Sequence, residues 1–400
     1  MSEPIIRLAA KGDGVTASGR HVAGAVPGDS VDEAGAITPG PHRIAPACRH
    51  FGTCGGCQLQ QADDAVLGAF VASRVLGAAE RQGLVPQEVL PVHLSPPHTR
   101  RRAGLHGLRT AKGAVLGYRA AGSHQIVDLA QCPVLDPALT ALMPALREFI
   151  ARHGPRNAVG IDLTLADQGV DAALVNFPLE GLGPTEAALE FARSQKLARL
   201  SIDQGYGPEV VWEPVPATIT LSGTPLGFPP GAFLQATRDA EARMVADAAE
   251  WLTGAGIIAD LFAGVGTFAL GLRAAAPAGR KVLAVEGDRA AQLACKAAAS
   301  QSGGTLFAMH RDLFRNPLQP SELDRFEAVL LDPPRAGARE QVAQLAQSAV
   351  PRIVYVSCNP SSWARDAAVL AAGGYRLQAV RAVGQFRWST HVELTSLFVR

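Results

Sequence analysis

Residues 231–400 alternate between short apolar runs and segments of helical periodicity, and this alternation constrains the fold more than any other feature of the chain. The apolar runs lie at 257–261, 281–285, 328–331 and 352–357. Strands that alternate with helices build a parallel sheet that is covered by helices on both faces. The sequence therefore predicts a doubly wound, Rossmann-like α/β domain in this part of the chain.

Chemically distinctive residues stand at the ends of these runs. Gly264 and Gly266 follow the first run, Glu286 follows the second, and Asp332 and Cys358 follow the third and the fourth. Sheets of this class bind ligands outside the carboxyl ends of their strands. We therefore expect these residues to share one ligand crevice.

The loop after the first run has the composition of a nucleotide-binding turn. Gly264 and Gly266 allow the backbone to turn tightly and to approach a ligand closely. Glu286 comes about 20 residues later, where an acidic side chain commonly accepts hydrogen bonds from a ribose diol. Two glycines alone indicate a nucleotide-binding loop only weakly, and Glu286 strengthens that prediction.

Two cofactor classes compete for this loop, namely dinucleotides and S-adenosylmethionine. A dinucleotide needs a pyrophosphate seat on a full Gly-x-Gly-x-x-Gly turn, whereas this loop has two glycines and opens with Asp260. S-adenosylmethionine carries no phosphate and tolerates an acidic residue near its positive end. Asp312 is placed to bind the adenine amino group, although an Asp there is equally typical of a helix N-cap. We therefore favour S-adenosylmethionine.

Cys358 follows its apolar run in a Ser-Cys-Asn-Pro turn. The usual fate of a free cysteine is to be a buried, inert thiol. A turn at the crevice instead projects the side chain out of the sheet, and Asp332 and Arg335 close the neighbouring run. Because a nearby cation lowers the pKa of a thiol, we expect Arg335 to favour the nucleophilic thiolate.

A thiolate at this place has a specific use in methyl transfer to uracil. C5 of uracil is a poor nucleophile, and addition of a thiolate at C6 places electron density on C5. A base must then remove the C5 proton, and Glu393, in an alternating strand near the C-terminus, is the candidate. The competing interpretation of Glu393 is an acidic side chain that keeps an edge strand soluble.

Four cysteines upstream have the spacing of a metal site. Five residues separate Cys48 from Cys54, two separate Cys54 from Cys57, and Cys132 supplies a fourth thiol. We call these four residues the cysteine quartet. Four thiolates suit either zinc or an iron–sulfur cluster, and tetrahedral zinc sites are the more common of the two.

The remainder of the chain predicts two smaller domains. Residues 1–45 combine short strands with glycine turns, which is typical of a small β-barrel. Residues 46–230 begin with the early cysteines and a helix over 63–82, and then mix short strands with a helix around 137–153, which indicates a mostly antiparallel α+β domain.

Composition adds little beyond the class of protein. The chain is 48% hydrophobic and 18% charged, with a net charge of +1, as in an ordinary globular protein. Neither a signal peptide nor an apolar stretch of membrane-spanning length is visible in the sequence. We expect a cytoplasmic protein that has no membrane partner and acts as a monomer.

Together these residues resemble the RNA 5-methyluridine methyltransferase family, and the resemblance covers nearly the whole chain. It implies that Cys358 is the nucleophile and that Glu393 is the base. The positions that match the family's S-adenosylmethionine site are Gln235, Phe262, Thr267, Glu286, Asp312 and Asp332. Thr237 and Thr267 stand where many members have Asn, and both changes keep a polar side chain.

The resemblance also assigns the two smaller domains. It implies that the cysteine quartet holds a 4Fe-4S cluster in the central domain, whereas Cys295 has no counterpart and is expected to pack in a helix core. Residues 1–45 resemble a shortened TRAM domain, an OB-like RNA-binding barrel. A TRAM domain together with four cysteines is more typical of members that act on 23S ribosomal RNA, which is therefore the expected substrate.

Two alternatives stay open at this point. The same chemistry can act on the T-loop uridine of transfer RNA, whose enzymes usually lack both the barrel and the four cysteines. The chain can also be an RNA-binding or ribosome-assembly factor in which methylation is vestigial. The intact pair of Cys358 and Glu393 argues against this last interpretation.

Overall fold

A computed structural model describes residues 2–276 and 279–400 of the protein, which form two compact units. One unit comprises the residues up to Phe70 together with Ser95–Ala217 and Phe386–Thr390. The other comprises Val71–Leu94, Thr218–Gln385 and His391–Arg400. The division of the chain into 1–45, 46–230 and 231–400 stays a prediction.

The first unit begins with a small antiparallel sheet. Its strands are β1 (Glu3–Leu8), β2 (Gly14–Thr16), β3 (His21–Val22), β4 (Ser30–Val31) and β5 (Ile37–Thr38). They are arranged in the order β3-β2-β1-β4-β5 around a core of Ile5, Val22, Ala25 and Val31. Short strands and glycine turns in this arrangement agree with the predicted small β-barrel.

Helix α1 (Asp64–Glu80) follows, and it confirms the helix predicted over 63–82. Asp63 explains where the helix begins, because its carboxylate accepts a hydrogen bond of 2.9 Å from the Val66 amide. Two short strands come next, β6 (Glu88–Val89) and β7 (His93–Leu94). Both belong to the second unit.

The rest of the first unit is a sheet with helices. Its elements are β8 (Arg102–Thr110), β9 (Gly113–Gly117), α2 (Pro137–His153), β10 (Val159–Ala166), β11 (Gly169–Val175), α3 (Leu182–Ser194), β12 (Arg199–Asp203) and β13 (Pro208–Trp212). The strand order is β13-β12-β11-β10-β8-β9, and only the pair of β11 and β12 is parallel among the pairs of this sheet that the described residues form. Leucine-rich α2 packs on this sheet, as expected of an α+β domain.

The second unit contains the α/β sheet. Its elements after β7 are β14 (Thr218–Leu221), β15 (Thr224–Gly227), α4 (Arg238–Trp251), β16 (Ile257–Leu261), α5 (Thr267–Ala275), β17 (Lys281–Glu286), α6 (Arg289–Ser300), β18 (Leu306–His310), α7 (Pro320–Leu323), β19 (Ala328–Leu331), α8 (Arg339–Leu345), β20 (Arg352–Ser357), α9 (Pro360–Ala372), β21 (Arg376–Gly384) and β22 (Glu393–Val399). Its main sheet has the order β18-β17-β16-β19-β20-β22-β21-β6, and β7 also pairs with β21.

The predicted doubly wound arrangement is confirmed for β16 to β20, which are mutually parallel. The sequence did not predict that β22 inserts between β20 and β21, antiparallel to both. The alternation predicted for this last strand is wrong, because Glu393 to Phe398 are buried without interruption. Both faces of this strand are covered and it has a neighbouring strand on each side, so buried and exposed side chains do not alternate along it.

One end of this sheet is where a ligand is expected to bind. The parallel strands β16 to β20 end at this edge, and antiparallel β22 begins there, so that residues following the former meet the first residue of the latter. Among the helices of residues 2–276 and 279–400, none combines the length and the apolar character that a bilayer crossing requires.

Candidate active site

A cavity of about 820 Å³ lies at this edge of the sheet in the second unit. Loops after β16, β17, β18, β19 and β20 contribute to its wall, as does the start of β22. Seven of the eight residues predicted for catalysis or cofactor binding line it: Gln235, Phe262, Glu286, Asp312, Asp332, Cys358 and Glu393. The cavity is large enough for a nucleoside-sized cofactor and lies where such sheets bind ligands.

The glycine loop and Glu286 form one side of the cavity. Glu286 accepts hydrogen bonds from the Gly264 amide at 2.7 Å and from the Asp288 amide at 2.6 Å. Gly264 and Gly266 have φ angles of 57° and 100°, which glycine adopts without strain. A carboxylate offers about four lone-pair positions, so two amide bonds fix Glu286 and leave acceptor capacity for a ribose diol.

A second side of the cavity is aromatic. The rings of Phe262 and Phe314 lie 5.4 Å apart at an interplanar angle of 54°. Asp312 accepts hydrogen bonds from the Phe314 amide at 2.9 Å and the Arg315 amide at 3.2 Å, so it caps a turn and not a helix. Phe314 was not predicted from the sequence, although its position two residues after Asp312 places it at the same strand end.

Thr267 differs from the other predicted residues, because it is not among the described residues that line the cavity. It is the first residue of α5 and is 9% exposed. Thr237 has a structural role as the N-cap of α4, where its hydroxyl accepts a hydrogen bond of 3.3 Å from the Ala240 amide.

Cys358 lies between the end of β20 and the start of α9. Asn359 caps that helix, because its side chain accepts from the Ser361 amide at 3.1 Å and also donates to the Arg335 carbonyl at 3.0 Å. Pro360 at the first helical position strengthens the helix start. The turn is thereby held by its neighbours, and the half-buried Cys358 thiol lines the cavity.

Glu393 lies deep in the same wall. Its side chain is 3% exposed, and its strand has neighbours on both sides. The alternative interpretation as a solubilising residue of an edge strand is therefore wrong. A carboxyl group that is buried beside a thiol in a ligand cavity is instead typical of a catalytic acid or base.

The environment of Cys358 does not favour the thiolate as expected from Arg335. Burial, together with the carboxylates of Glu393 and Asp332, raises the pKa of the Cys358 thiol to about 11, and Arg335 opposes them with a smaller effect. The prediction of a lowered pKa is wrong because the thiol is itself partly buried and because Arg335 is exposed, where solvent screens its charge, while Glu393 is buried and Asp332 is half-buried. In the free enzyme Cys358 is a thiol.

The two carboxyl groups are themselves difficult to ionise. Burial raises the pKa of Asp332 to about 7, with a hydrogen bond from Gln235 opposing the shift and Glu286 adding to it. Burial also raises the pKa of Glu393 to about 8, Asp332 adds to this shift, and a hydrogen bond from Gln385 opposes it. Both acids therefore exchange protons near neutral pH, as general acid–base catalysis requires.

Two buried amides extend from Asp332 toward the end of β21. The Gln235 amide nitrogen donates to Asp332 at 3.1 Å, and the Gln385 amide nitrogen donates to the Gln235 oxygen at 3.0 Å. Gln385 was missed in the sequence. It follows β21, which runs parallel to β20, so the rule that singled out Asp332 and Cys358 also applies to it.

Several known proteins are similar to this chain in sequence. A profile described as tRNA (Uracil-5-)-methyltransferase matches residues 226–400. An uncharacterized RNA methyltransferase of Zymomonas mobilis is 48% identical and covers 99% of both chains. The 23S rRNA (uracil(1939)-C(5))-methyltransferase RlmD of Edwardsiella ictaluri is 33% identical over 90% of this chain and 83% of its own length.

The chain belongs to the RNA (uracil-5-)-methyltransferase family. Its members are S-adenosylmethionine-dependent RNA methyltransferases, and the resemblance inferred from the motifs is confirmed. The fold agrees. The tRNA (uracil-54, C5)-methyltransferase of Pyrococcus abyssi, solved in complex with S-adenosyl-L-homocysteine, is 22% identical and superimposes with a TM-score of 0.75 over 100% of both chains.

The cysteine quartet of this methyltransferase lies in the first unit, apart from Cys358 in the chain. Its members line a cavity of about 50 Å³ together with Tyr118, Gln60 and Phe386. Burial raises the pKa of Cys57 to about 12, and the thiols of Cys132, Cys54 and Cys48 add to this shift because they lie close by. The fold thus brings Cys132 to the three early cysteines, although 74 residues of sequence lie between Cys57 and Cys132.

Two observations bear on the group that these thiols hold. Within residues 2–276 and 279–400, no three His, Cys, Asp or Glu side chains stand close enough together for a single metal ion. The donor set of four cysteines around one cavity nevertheless matches the thiolate ligation of an iron–sulfur cluster, whose own atoms separate its ligands. Cys295 is buried outside both cavities, as expected for a packing residue.

Proposed function

We propose that this methyltransferase methylates C5 of a uridine in 23S ribosomal RNA through a covalent bond between Cys358 and C6 of the uracil. The observation that carries the proposal is that Cys358 and Glu393 line the same cavity as the ribose-binding candidate Glu286. A nucleophile, a base and a cofactor site then face one reacting base. An ordinary S-adenosylmethionine site needs neither the thiol nor a second buried acid.

The residues that would hold S-adenosylmethionine fit its chemistry. Glu286 offers acceptors for the ribose, the ring of Phe262 offers a surface for the adenine, and Asp312 offers a further acceptor. Gln235 and Asp332 lie in the same wall and are joined by a hydrogen bond. We assign them to the catalytic part of the cavity, together with Cys358. When bound, the cofactor supplies an electrophilic methyl group.

Cys358 performs the first step on the RNA. Its sulfur bonds to C6, the C5–C6 π electrons move toward C5 and O4 to form an enolate, and a neighbouring carboxylate accepts the thiol proton. Asp332, with a pKa of about 7, is ionised often enough at neutral pH to do so. C5 has then become nucleophilic, which uracil itself does not provide.

Glu393 performs the last step. Once C5 carries the methyl group, its carboxylate removes the remaining C5 proton, the electrons of that bond restore the C5–C6 double bond, and the C6–S bond breaks to release the Cys358 thiolate. Reaching C5 and C6 from both sides requires the uridine to leave its stack. Phe233, which is 65% exposed beside the cavity, is a surface on which RNA bases can stack.

We further propose that the cysteine quartet holds a 4Fe-4S cluster. The cluster would tie the loop of residues 48–57 to Cys132 and so stabilise the RNA-binding part of the first unit. No step of the methylation needs an electron, so its role is structural. Residues 1–45 would form an RNA-binding barrel beside this central domain of residues 46–230, and residues 231–400 would carry the methylation.

The choice of 23S ribosomal RNA is supported by the RlmD relative and by the four cysteines. A second candidate is the T-loop uridine of transfer RNA, which the matching profile and the Pyrococcus structure favour by their descriptions. We assign the enzyme to the cytoplasm, where both RNAs are made, and propose that it acts as a monomer.

The substrate is tested by incubating the purified protein with labelled S-adenosylmethionine and with unmodified transcripts of 23S ribosomal RNA and of transfer RNA. Mass spectrometry of nuclease digests then locates the 5-methyluridine. Methylation of the ribosomal transcript alone is the expected result. Methylation confined to transfer RNA would replace the first candidate with the second, and methylation of neither would leave an RNA-binding factor.

A further inference from the structure

We propose that Gln385 is a positioning residue that orients the base Glu393 and couples it to Asp332 during release of the covalent RNA adduct. This inference rests on the proposed function, since it concerns the step in which the C5 proton is removed. Gln385 directly follows β21, and its side chain is 1% exposed. Nothing in the matched motifs assigns a role to it.

The hydrogen bonds of Gln385 set its orientation. Its Oε1 accepts from the Ala236 backbone amide at 3.0 Å. A backbone amide can only donate, so the oxygen of Gln385 must face Ala236 and its NH₂ group must face the opposite direction. Which atom of a buried amide is oxygen is decided by such a network, and here a main-chain group decides it.

The orientation of Gln385 in turn fixes the orientation of Gln235, which lies in the cavity wall. The Nε2 atom of Gln385 donates to Oε1 of Gln235 at 3.0 Å, and Nε2 of Gln235 therefore faces Asp332, to whose Oδ2 it donates at 3.1 Å. Gln385 and Gln235 are both at most 3% exposed, so water does not offer them alternative partners. The Ala236 amide therefore determines, through Gln385 and Gln235, that an N–H group and not an oxygen faces Asp332.

Gln385 has a second N–H group, and the carboxyl group nearby is that of Glu393. The Gln385 amide lowers the pKa of Glu393 and so opposes the rise that burial and Asp332 cause. The register agrees, because Val383 pairs with Glu393 across β21 and β22, which leaves Gln385 just beyond the end of the pairing. A donor at this place favours the ionised base and holds its carboxylate in one direction.

The titratable groups that interact with Glu393 follow β19 and β20 of the same sheet. Asp332 after β19 and Cys358 after β20 both interact with it, and both disfavour its ionisation when they carry negative charge. Arg335 acts on Cys358 from an exposed position. Gln385, which follows the neighbouring strand β21, thus opposes the effects of burial and of Asp332 on the pKa of Glu393, so its loss should raise that pKa measurably.

The test uses a 23S ribosomal RNA transcript that carries uridine tritiated at C5, because release of tritium reports removal of the C5 proton. Single-turnover release is measured from pH 6 to pH 9.5 for the wild type, Gln385→Leu and Gln385→Glu. We expect Gln385→Leu to release tritium about tenfold more slowly at pH 7.5 and to accumulate the protein–RNA adduct on denaturing gels. The pH midpoint of release is expected to move upward.

Gln385→Glu keeps the size of the side chain and therefore guards against failure of Gln385→Leu to fold. A carboxyl group at this position adds another acid beside Glu393, so the midpoint is expected to move upward further than with leucine. Gln341→Leu is the matched control. Gln341 is also fully buried, but it bridges the Leu318 amide and carbonyl, whereas Gln385 bonds to the Ala236 amide and to Gln235.

The outcomes separate this inference from the function on which it rests. If the wild type releases tritium and both Gln385 variants retain its midpoint and rate, Gln385 has no positioning role. If the Gln385 variants and Gln341→Leu lose activity equally with unchanged midpoints, the effect is one of stability and the inference is overturned. If the wild type releases no tritium from this transcript or from a transfer RNA transcript tritiated in the same way, the proposed function fails and the inference fails with it.

Discussion

Glu393 lies beside Cys358 because their strands are antiparallel neighbours in the sheet. Ser357 pairs with Leu394, so that Cys358 leaves the end of β20 where Glu393 begins β22. Thirty-five positions of sequence separate the two residues, and the helix α9 and strand β21 occupy that interval. The nucleophile and the base are therefore brought together by the insertion of β22 and not by any local motif.

The first prediction concerns the nucleophile. Cys358→Ala is expected to abolish methyl transfer, a loss of more than about 10³-fold, because alanine cannot bond to C6 of uracil. Binding of S-adenosylmethionine, measured by calorimetry, is expected to stay within about threefold of the wild type, because the side chain lost is small. A protein without Cys358 that still methylates RNA would sink the covalent mechanism.

Cys295→Ala is the control for that experiment. Cys295 is also a free cysteine, but it is 1% exposed and packs in the core. Its loss should cost roughly 1 kcal/mol of stability by removing a buried sulfur, with methylation retained. The comparison thus separates the chemistry of one thiol from the packing of another.

The second prediction concerns the base. Glu393→Gln keeps the shape of the side chain and removes its ability to accept a proton, so addition to C6 and methylation should proceed while release fails. We expect a protein–RNA adduct to accumulate and turnover to fall by about 10² to 10⁴-fold. A denaturing gel with labelled RNA measures the adduct. Normal turnover without an adduct would assign proton removal to another group.

The fold was largely accessible from the sequence, and the reasons are local. The apolar runs at 328–331 and 352–357 coincide with β19 and β20, because short uninterrupted apolar segments between helical patterns are typical of buried parallel strands. Helix α2 begins and ends as predicted, with Asp136 as its N-cap and Pro137 at its first position.

What could not be predicted depends on contacts between distant residues. Gln385 meets Gln235 across 150 positions of sequence, and no motif in either segment marks the other. The sequence predicts the wrong direction for the pKa of Cys358, because it shows Arg335 but neither the partial burial of the thiol nor the approach of Glu393 and Asp332. Electrostatic balance in a site requires knowing which groups solvent can reach.

The third prediction is a fall in stability with rising pH. The pKa values of Asp332 and Glu393, about 7 and about 8 in the folded protein, lie above the values near 4 of an unfolded chain. Their contribution is therefore fully present below about pH 4 and is lost as pH rises through about 8. We expect the free energy of unfolding of the cofactor-free protein to fall between pH 6 and pH 9.

Glu393→Gln provides the check on that assignment. It removes one of the two titrations, so the variant should be more stable than the wild type at pH 9 by at least about 1 kcal/mol and nearly equal to it at pH 5. Chemical denaturation at both pH values measures this difference. Parallel pH dependences in the two proteins would mean that Glu393 does not titrate in this range.

The fourth prediction concerns the cysteine quartet. Protein purified without oxygen is expected to be brown and to contain about four irons per chain, as thiolate-bound 4Fe-4S clusters do. Cys57→Ser should lose most of the iron, whereas Cys295→Ala should retain it, because the second residue is outside the cavity. Metal analysis and the visible spectrum measure both. A colourless protein with one zinc ion per chain would overturn the cluster.

The last prediction concerns the glycine loop. Gly266 has a φ angle of 100°, and a Cβ atom added there would lie 2.9 Å from the Cys295 sulfur. Gly266→Ala therefore combines backbone strain with a steric clash, and the loop that carries Gly264 must shift. We expect S-adenosylmethionine to bind at least about tenfold more weakly, measured by calorimetry, since roughly 1–3 kcal/mol is at stake.

Two companion variants divide that effect into its causes. Gly303→Ala also places alanine at a positive φ angle, 63°, but its Cβ would meet nothing within 4 Å, so affinity should be unchanged. Adding Cys295→Ala to Gly266→Ala removes the clash and leaves the strain, which should restore part of the affinity. Full recovery would show that the clash alone matters, and no recovery would show that the backbone angle of Gly266 governs cofactor binding.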